Sequence, residues 1–160
     1  MVYYISGGVI SSGICLYGDY MFILFGGVAN STTVNSGGDM YISSGGVVNS
    51  TTVNSGGRMN ISFGGTATAI RENGGYVYVA DGANVTFVSN TITGLNLFNY
   101  QSMTVHSNTV ANSTLVNRGG MYIYSGGVAN STTVNSSGRM YISSGGVANS
   151  TTVNSSGRMY

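Results

Sequence analysis

The chain has 160 residues with 26 glycines and no proline or tryptophan; 6% of its residues are charged and the formal net charge is +1. So even a balance gives no electrostatic footprint for nucleic acid or an anionic membrane surface. A single cysteine, Cys15, excludes an intrachain disulfide and a multi-cysteine metal site.

From its first residues the chain reads as repeat. Met1-Val2-Tyr3-Tyr4-Ile5-Ser6-Gly7-Gly8 already carries the pattern, with no basic stretch and apolar run of a secretion signal before it. The longest apolar run lies within Tyr20 to Phe25, too short to cross a bilayer. Gly7-Gly8, Gly26-Gly27, Gly45-Gly46 and Gly64-Gly65 recur with a period of 19, as do Gly126-Gly127 and Gly145-Gly146. A fixed period of this length means stacked supersecondary units. Counted from the second glycine of each pair, coils begin at Gly8, Gly27, Gly46, Gly65, Gly82, Thr109, Gly127 and Gly146. The last residues, Arg158-Met159-Tyr160, fall in mid-repeat, so the sequence reads as a piece of a longer chain.

Within a coil the alternation is that of strands. In Met40-Tyr41-Ile42-Ser43, Met40 and Ile42 share one face and Tyr41 and Ser43 the other. The columns Ile23, Ile42, Ile61, Val79, Val105, Ile123, Ile142 and Met21, Met40, Met59, Val77, Met103, Met121, Met140, Met159 are expected inside. Cys15, Val34, Val53, Val116, Val134 and Val153 make a further interior column, and Ala29, Val48, Ala67, Ala111, Ala129 and Ala148 a narrow one. The step from Ala29 to Val34 is odd, so strict alternation needs a bend near Asn30-Ser31-Thr32. Two strands and glycine-rich corners within one such period leave no room for a crossover helix. The expected fold is an all-β, right-handed parallel β-solenoid of about eight coils, spanning 1–160 as one domain. Asn35, Asn54, Asn117, Asn135 and Asn154 are placed to stack as amide ladders. The stretch 83–100, with Phe87-Val88, Ile92 and Leu95-Asn96-Leu97-Phe98, reads as an irregular inserted coil: a corner loop or a binding protrusion.

Catalysis finds little material. There is one histidine, His106, which parity turns outward, and the acids are Asp19, Asp39, Glu72 and Asp81. Repeat alignment brings no acidic cluster together as a polysaccharide-degrading β-helix would require, and the acidic nonapeptide of calcium-binding solenoids is absent. The chain is therefore read as a non-enzyme without cofactor or metal. Asp39 and Arg58 share a column and are expected to pair at an edge; Arg139 over Arg158 is mildly repulsive.

The exposed columns carry more. Phe22, Tyr41, Tyr78, Tyr122, Tyr141 and Tyr160 form an outward aromatic ladder, broken at Asn60, suited to binding sugars or a second chain or to stacking alone. Asn-Ser-Thr recurs from Asn30 onward, but inside a repeat such a sequon counts once. Serine and threonine hydroxyls recur in every coil as a dense surface array. The column Thr32, Thr51, Thr132 and Thr151 favours an ice-binding alternative, although the Thr-Thr pair puts one hydroxyl on each face.

The unit Gly-Gly-Val-Ala-Asn-Ser-Thr-Thr-Val-Asn-Ser-Gly-Gly-x-Met-Tyr-Ile-Ser-Ser resembles the 19-residue repeat of AIDA-type self-associating autotransporter adhesins, over nearly the whole chain. The resemblance implies a secreted passenger displayed on a Gram-negative outer membrane, working in adhesion, autoaggregation and biofilm formation. Its expected partners are a second copy of itself, a host glycan or protein receptor, and a heptosyltransferase that modifies repeat serines. The candidate O-glycosylation sites are Ser31, Ser36, Ser43, Ser44, Ser50, Ser55, Ser131, Ser136, Ser143, Ser144, Ser150 and Ser155.

Overall fold

A computed structural model describes residues 1–160 as short β-strands with no helix, an all-β parallel solenoid of about eight turns with a period near 19. Each turn has three strands rather than the two expected from the sequence. In one turn these are Asp39–Ile42, Val47–Asn49 and Thr52–Asn54. The bend expected near Ser31 is the additional corner: Ser31 and Ser50 take φ of 52° and 58°, and a new strand begins two residues on. We call the three surfaces the Met, Ala and Val faces after their interior residues.

The residues fall into two compact units, Met1–Val88 and Ser89–Tyr160. In the first, the Met face stacks Val2–Ile5, Tyr20–Ile23, Asp39–Ile42, Arg58–Ile61 and Tyr76–Val79. Its Ala and Val faces are joined by one long strand, Thr66–Asn73, which pairs with Val47–Asn49 through its first part and Thr52–Asn54 through its last. A register shift between Ala67 and Ile70 turns that strand through the corner without ending it. Asn84–Phe87 adds a further strand to the Ala face.

The second unit has the same three faces. Asn90–Thr93, Thr109–Asn112, Val128–Asn130 and Val147–Asn149 form the Ala face. Asn96–Leu97 begins the Val face and Ser102–Val105 the Met face. Asn90 registers on Thr109 and Leu97 on Val116, so the chain from Asn90 to Asn108 makes one regular turn. The stretch 83–100 thus divides between the last strand of the first unit and the first two strands of the second. Gly64 N–H donates to the Gly82 carbonyl, which puts Ala83, not Gly82, at the place of Gly65.

The interior columns carry the burial energy. Met21, Met40, Met59 and Val77, with Ile23, Ile42 and Ile61 beside them, are fully buried in the first unit. Met103, Met121, Met140, Val105 and Ile123 do the same in the second. At about 2 kcal/mol for each fully buried aliphatic side chain, these columns are the main source of cohesion. Cys15 is corrected by the register. It pairs with Thr33 and is exposed, while Leu16 pairs with Val34 and is fully buried. The first turn is one residue shorter than the period at this point, so the column falls on the larger aliphatic residue.

Amide ladders bind the turns from outside. Asn54 Nδ2 donates to Asn35 Oδ1 at 2.9 Å, and Asn73 to Asn54 at 2.7 Å. Asn154 donates to Asn135 at 2.6 Å. A second set runs along the Ala face, from Asn49 to Asn30 and from Asn149 through Asn130 to Asn112. Each such bond contributes about 1 kcal/mol and penalises any slip between turns.

Candidate functional site

The twelve candidate serines all stand on the corners between faces, because the strands between them are filled by alternating interior residues and stacked amides or aromatics. Ser31, Ser50, Ser131 and Ser150 mark the Ala–Val corner, with φ between 52° and 58°. Ser36, Ser55, Ser136 and Ser155 mark the Val–Met corner; Ser43, Ser44, Ser143 and Ser144 the Met–Ala corner. Ten are exposed and two, Ser43 and Ser55, are half-buried. The corners thus present hydroxyls to solvent, repeated at the turn spacing of about 4.8 Å.

Threonine behaves differently. Thr32, Thr51 and Thr132 are buried and Thr151 half-buried. The Thr column that favoured an ice-binding array therefore lies inside and is not offered to solvent. Its hydroxyls face the Met column: Thr132 Oγ1 lies 4.0 Å from the Met121 sulfur.

The outer side of the Met face carries aromatic rings. Tyr4, Phe22 and Tyr41 stack at 5.2 and 5.0 Å, and Tyr122, Tyr141 and Tyr160 at 5.0 and 4.8 Å, all close to parallel. Asn60 stands between Tyr41 and Tyr78 in the register, so the ladder of the first unit is interrupted there as expected. Burial, followed by the neighbouring Asp39 carboxylate, pushes the Tyr41 phenol above its ordinary range. His106 stacks on Tyr124 at 4.5 Å. Among the exposed rings outside the columns expected from the sequence are Phe25 and Phe63, 80% and 72% exposed. They lie across Gly45 and Gly82 of the following turn, where a Cβ on either glycine would run into the ring.

Charge is segregated. Asp19, Asp39, Glu72 and Asp81 all belong to the first unit, against Arg58 and Arg71, for a net −2; the second unit has Arg118, Arg139 and Arg158 and no acid, for a net +3, and together they give the chain's +1. Asp39 and Arg58 are in register but do not make the ion pair expected of them; on an exposed edge the gain from closing it is small. Glu72 takes the place of a column valine, opposite Val53, and is fully buried. In the second unit Arg139 registers directly on Arg158. A hollow of about 670 Å³ opens beside them, lined by Tyr100, Ser102, Arg118, Tyr122, Ser137 and Arg139 over Gly119 and Gly120. A second of about 280 Å³ continues it through Ser137 and Arg139 to Ser156 and Arg158. Counting charge separately in the two halves of the sequence would have revealed this; the balanced total concealed it.

Residues 12–75 match a family model described as "Adhesin of bacterial autotransporter system, probable stalk". Among solved structures the chain is similar to a fragment of TibA hyper-glycosylated by TibC, at 30% identity and a TM-score of 0.55, over 99% of this chain. The chain spans 63% of that fragment's length. No curated protein matches it.

Proposed function

We propose that this chain, an AIDA-type autotransporter adhesin passenger segment, is a non-enzymatic cell-surface adhesion module of a Gram-negative bacterium, and that it works by repetition. Identical polar corners, presented turn after turn, pair with the same corners on a second copy. Each contact is weak, and the number of turns supplies avidity. Low charge density over most of the surface keeps like chains from repelling each other.

The observation that carries this reading is the set of exposed serine hydroxyls on the corners. The same hydroxyls suit a second role. The similar TibA fragment is glycosylated by TibC, and in this chain a heptosyltransferase would find acceptors at Ser31, Ser36, Ser44, Ser50, Ser131, Ser136, Ser143, Ser144, Ser150 and Ser155. Half-buried Ser43 and Ser55 are poorer acceptors. Corner serines project away from the interior, so attached sugars leave the strand ladders untouched.

Two measurements test the proposal. Intact mass with and without a co-produced heptosyltransferase should show a ladder of heptose increments mapping to corner serines; an unmodified mass overturns the acceptor role. Sedimentation velocity at rising concentration should show association, and a monomer throughout would overturn pairing between copies.

A further inference from the structure

We infer that the second unit carries a binding groove for an acidic polysaccharide with one anionic group on each sugar. Three successive turns each supply one guanidinium to it: Arg118, then Arg139, then Arg158. Stacking like charges on neighbouring turns opposes folding unless something offsets it, and the second unit has no carboxylate side chain that could. The equivalent strand position in the first unit passes through Tyr20, Asp39, Arg58 and Tyr76, where an acid stands next to the base. Only the second unit has no carboxylate side chain near its cations, and there the surface is hollowed.

The remaining lining suits a sugar chain. Gly119 and Gly120 lie buried beneath the hollow, with the Tyr122 ring and the Ser102 hydroxyl close over Gly120. Tyr100 and Tyr122 flank the hollow with aromatic surface, and Ser102, Ser137 and Ser156 add hydroxyls. The volume of about 670 Å³ is within the range of small-ligand sites. Planar guanidinium groups hold carboxylate or sulfate through two parallel hydrogen bonds. Arg139 and Arg158, in register about 4.8 Å apart, match a polymer that repeats one charge per sugar. Arg118 adds a third cation from the corner of the preceding turn, where Gly120 is the residue in register with Arg139. The groove rests on the adhesin reading for its setting but not for its chemistry: a chain that fails to self-associate would still bind.

The test is calorimetric titration of the 160-residue chain with an α-1,4-linked galacturonate hexasaccharide, and with maltohexaose as the neutral control. Saturable binding of the acidic sugar is expected, weakening as salt rises. Maltohexaose should bind at least tenfold more weakly. Arg118→Gln and Arg139→Gln, both at exposed positions, should each lower affinity about tenfold; Arg58→Gln, in the first unit, should leave it unchanged. Equal affinity for the neutral sugar would overturn the proposal, as would an Arg139→Gln variant that binds like the parent. A thymidine hexanucleotide bound as tightly as the galacturonate would overturn it too, by showing a site that senses only negative charge. Thermal melting of each variant separates loss of binding from loss of fold.

Discussion

Gly127 and the Val105 carbonyl are packed so tightly that a methyl group on the glycine would stand 2.1 Å from the oxygen. The preceding Gly126 is different: it has φ of 75° and its nearest neighbour would be the Ser107 Cβ at 3.0 Å. In this pair the first glycine is needed for its backbone conformation and the second for the absence of a side chain. Gly127→Ala is expected to cost about 3 kcal/mol through overpacking against backbone, and Gly126→Ala about 1–2 kcal/mol through left-handed strain. Urea midpoints of the two variants check this; equal losses would mean that neighbouring turns can spread apart.

At the Val–Met corner the first glycine has already been replaced. Ser137 and Ser156 hold φ of 67° and 65° where Gly37 and Gly56 stand in the first unit, while Gly138 and Gly157 keep the close approach to Val116 and Val134. Ser137→Gly should therefore stabilise the protein by about 1 kcal/mol. A raised thermal midpoint is the expected readout, and a lowered one would show that Ser137 makes a contribution outweighing its strain.

Thr51 is fully buried and its Oγ1 has no hydrogen-bond partner. One turn later, just ahead of the Arg71–Thr52 register, Ile70 fills the same interior position. Thr51→Val is expected to gain about 1 kcal/mol, since it removes a buried hydroxyl without changing shape. A loss of similar size in denaturant titration would mean that the hydroxyl is satisfied in solution.

The raised Tyr41 phenol gives a pH dependence. A folded-state value above the unfolded one contributes stability of the opposite sign to a depressed one: burial disfavours the phenolate, so ionisation is resisted in the fold and the fold is weakened as pH climbs past about 10, the unfolded value. As pH rises past about 10 the parent should lose stability more steeply than Tyr41→Phe, as read from urea midpoints. Parallel curves would sink the assignment.

The period, the interior Met, Ile, Ala and Val columns (apart from Val153 and Met159, which are exposed) and the Asn35–Asn54 ladder were legible in the sequence, because near-identical turns in parallel register repeat every side-chain environment. The third strand was not. It can be as short as Thr33–Val34, and its corner is formed by Ser31 rather than by the glycine that usually marks a positive φ. The misplacement of Cys15 has the same origin as that of Gly82: where a turn departs from the common length, counting from the glycines goes wrong by one. Among the candidate sites, the corner serines could be named from the repeat, but their shared position on three corners required the third strand. The arginine groove was hidden by a net charge that averages an acidic unit with a basic one.

One-to-one register between turns has an evolutionary consequence. Met40 pairs with Met59, Ile42 with Ile61 and Asn30 with Asn49, so an in-frame gain or loss of one whole repeat leaves every remaining column continuous. A single-codon insertion within a strand instead turns an interior face outward. Unequal recombination between the nearly identical blocks at 127–145 and 146–160 can thus lengthen or shorten the array without redesigning any contact. Reach and valency become heritable quantities that change in whole steps, while most point changes within a block are held in check by the copies stacked on either side.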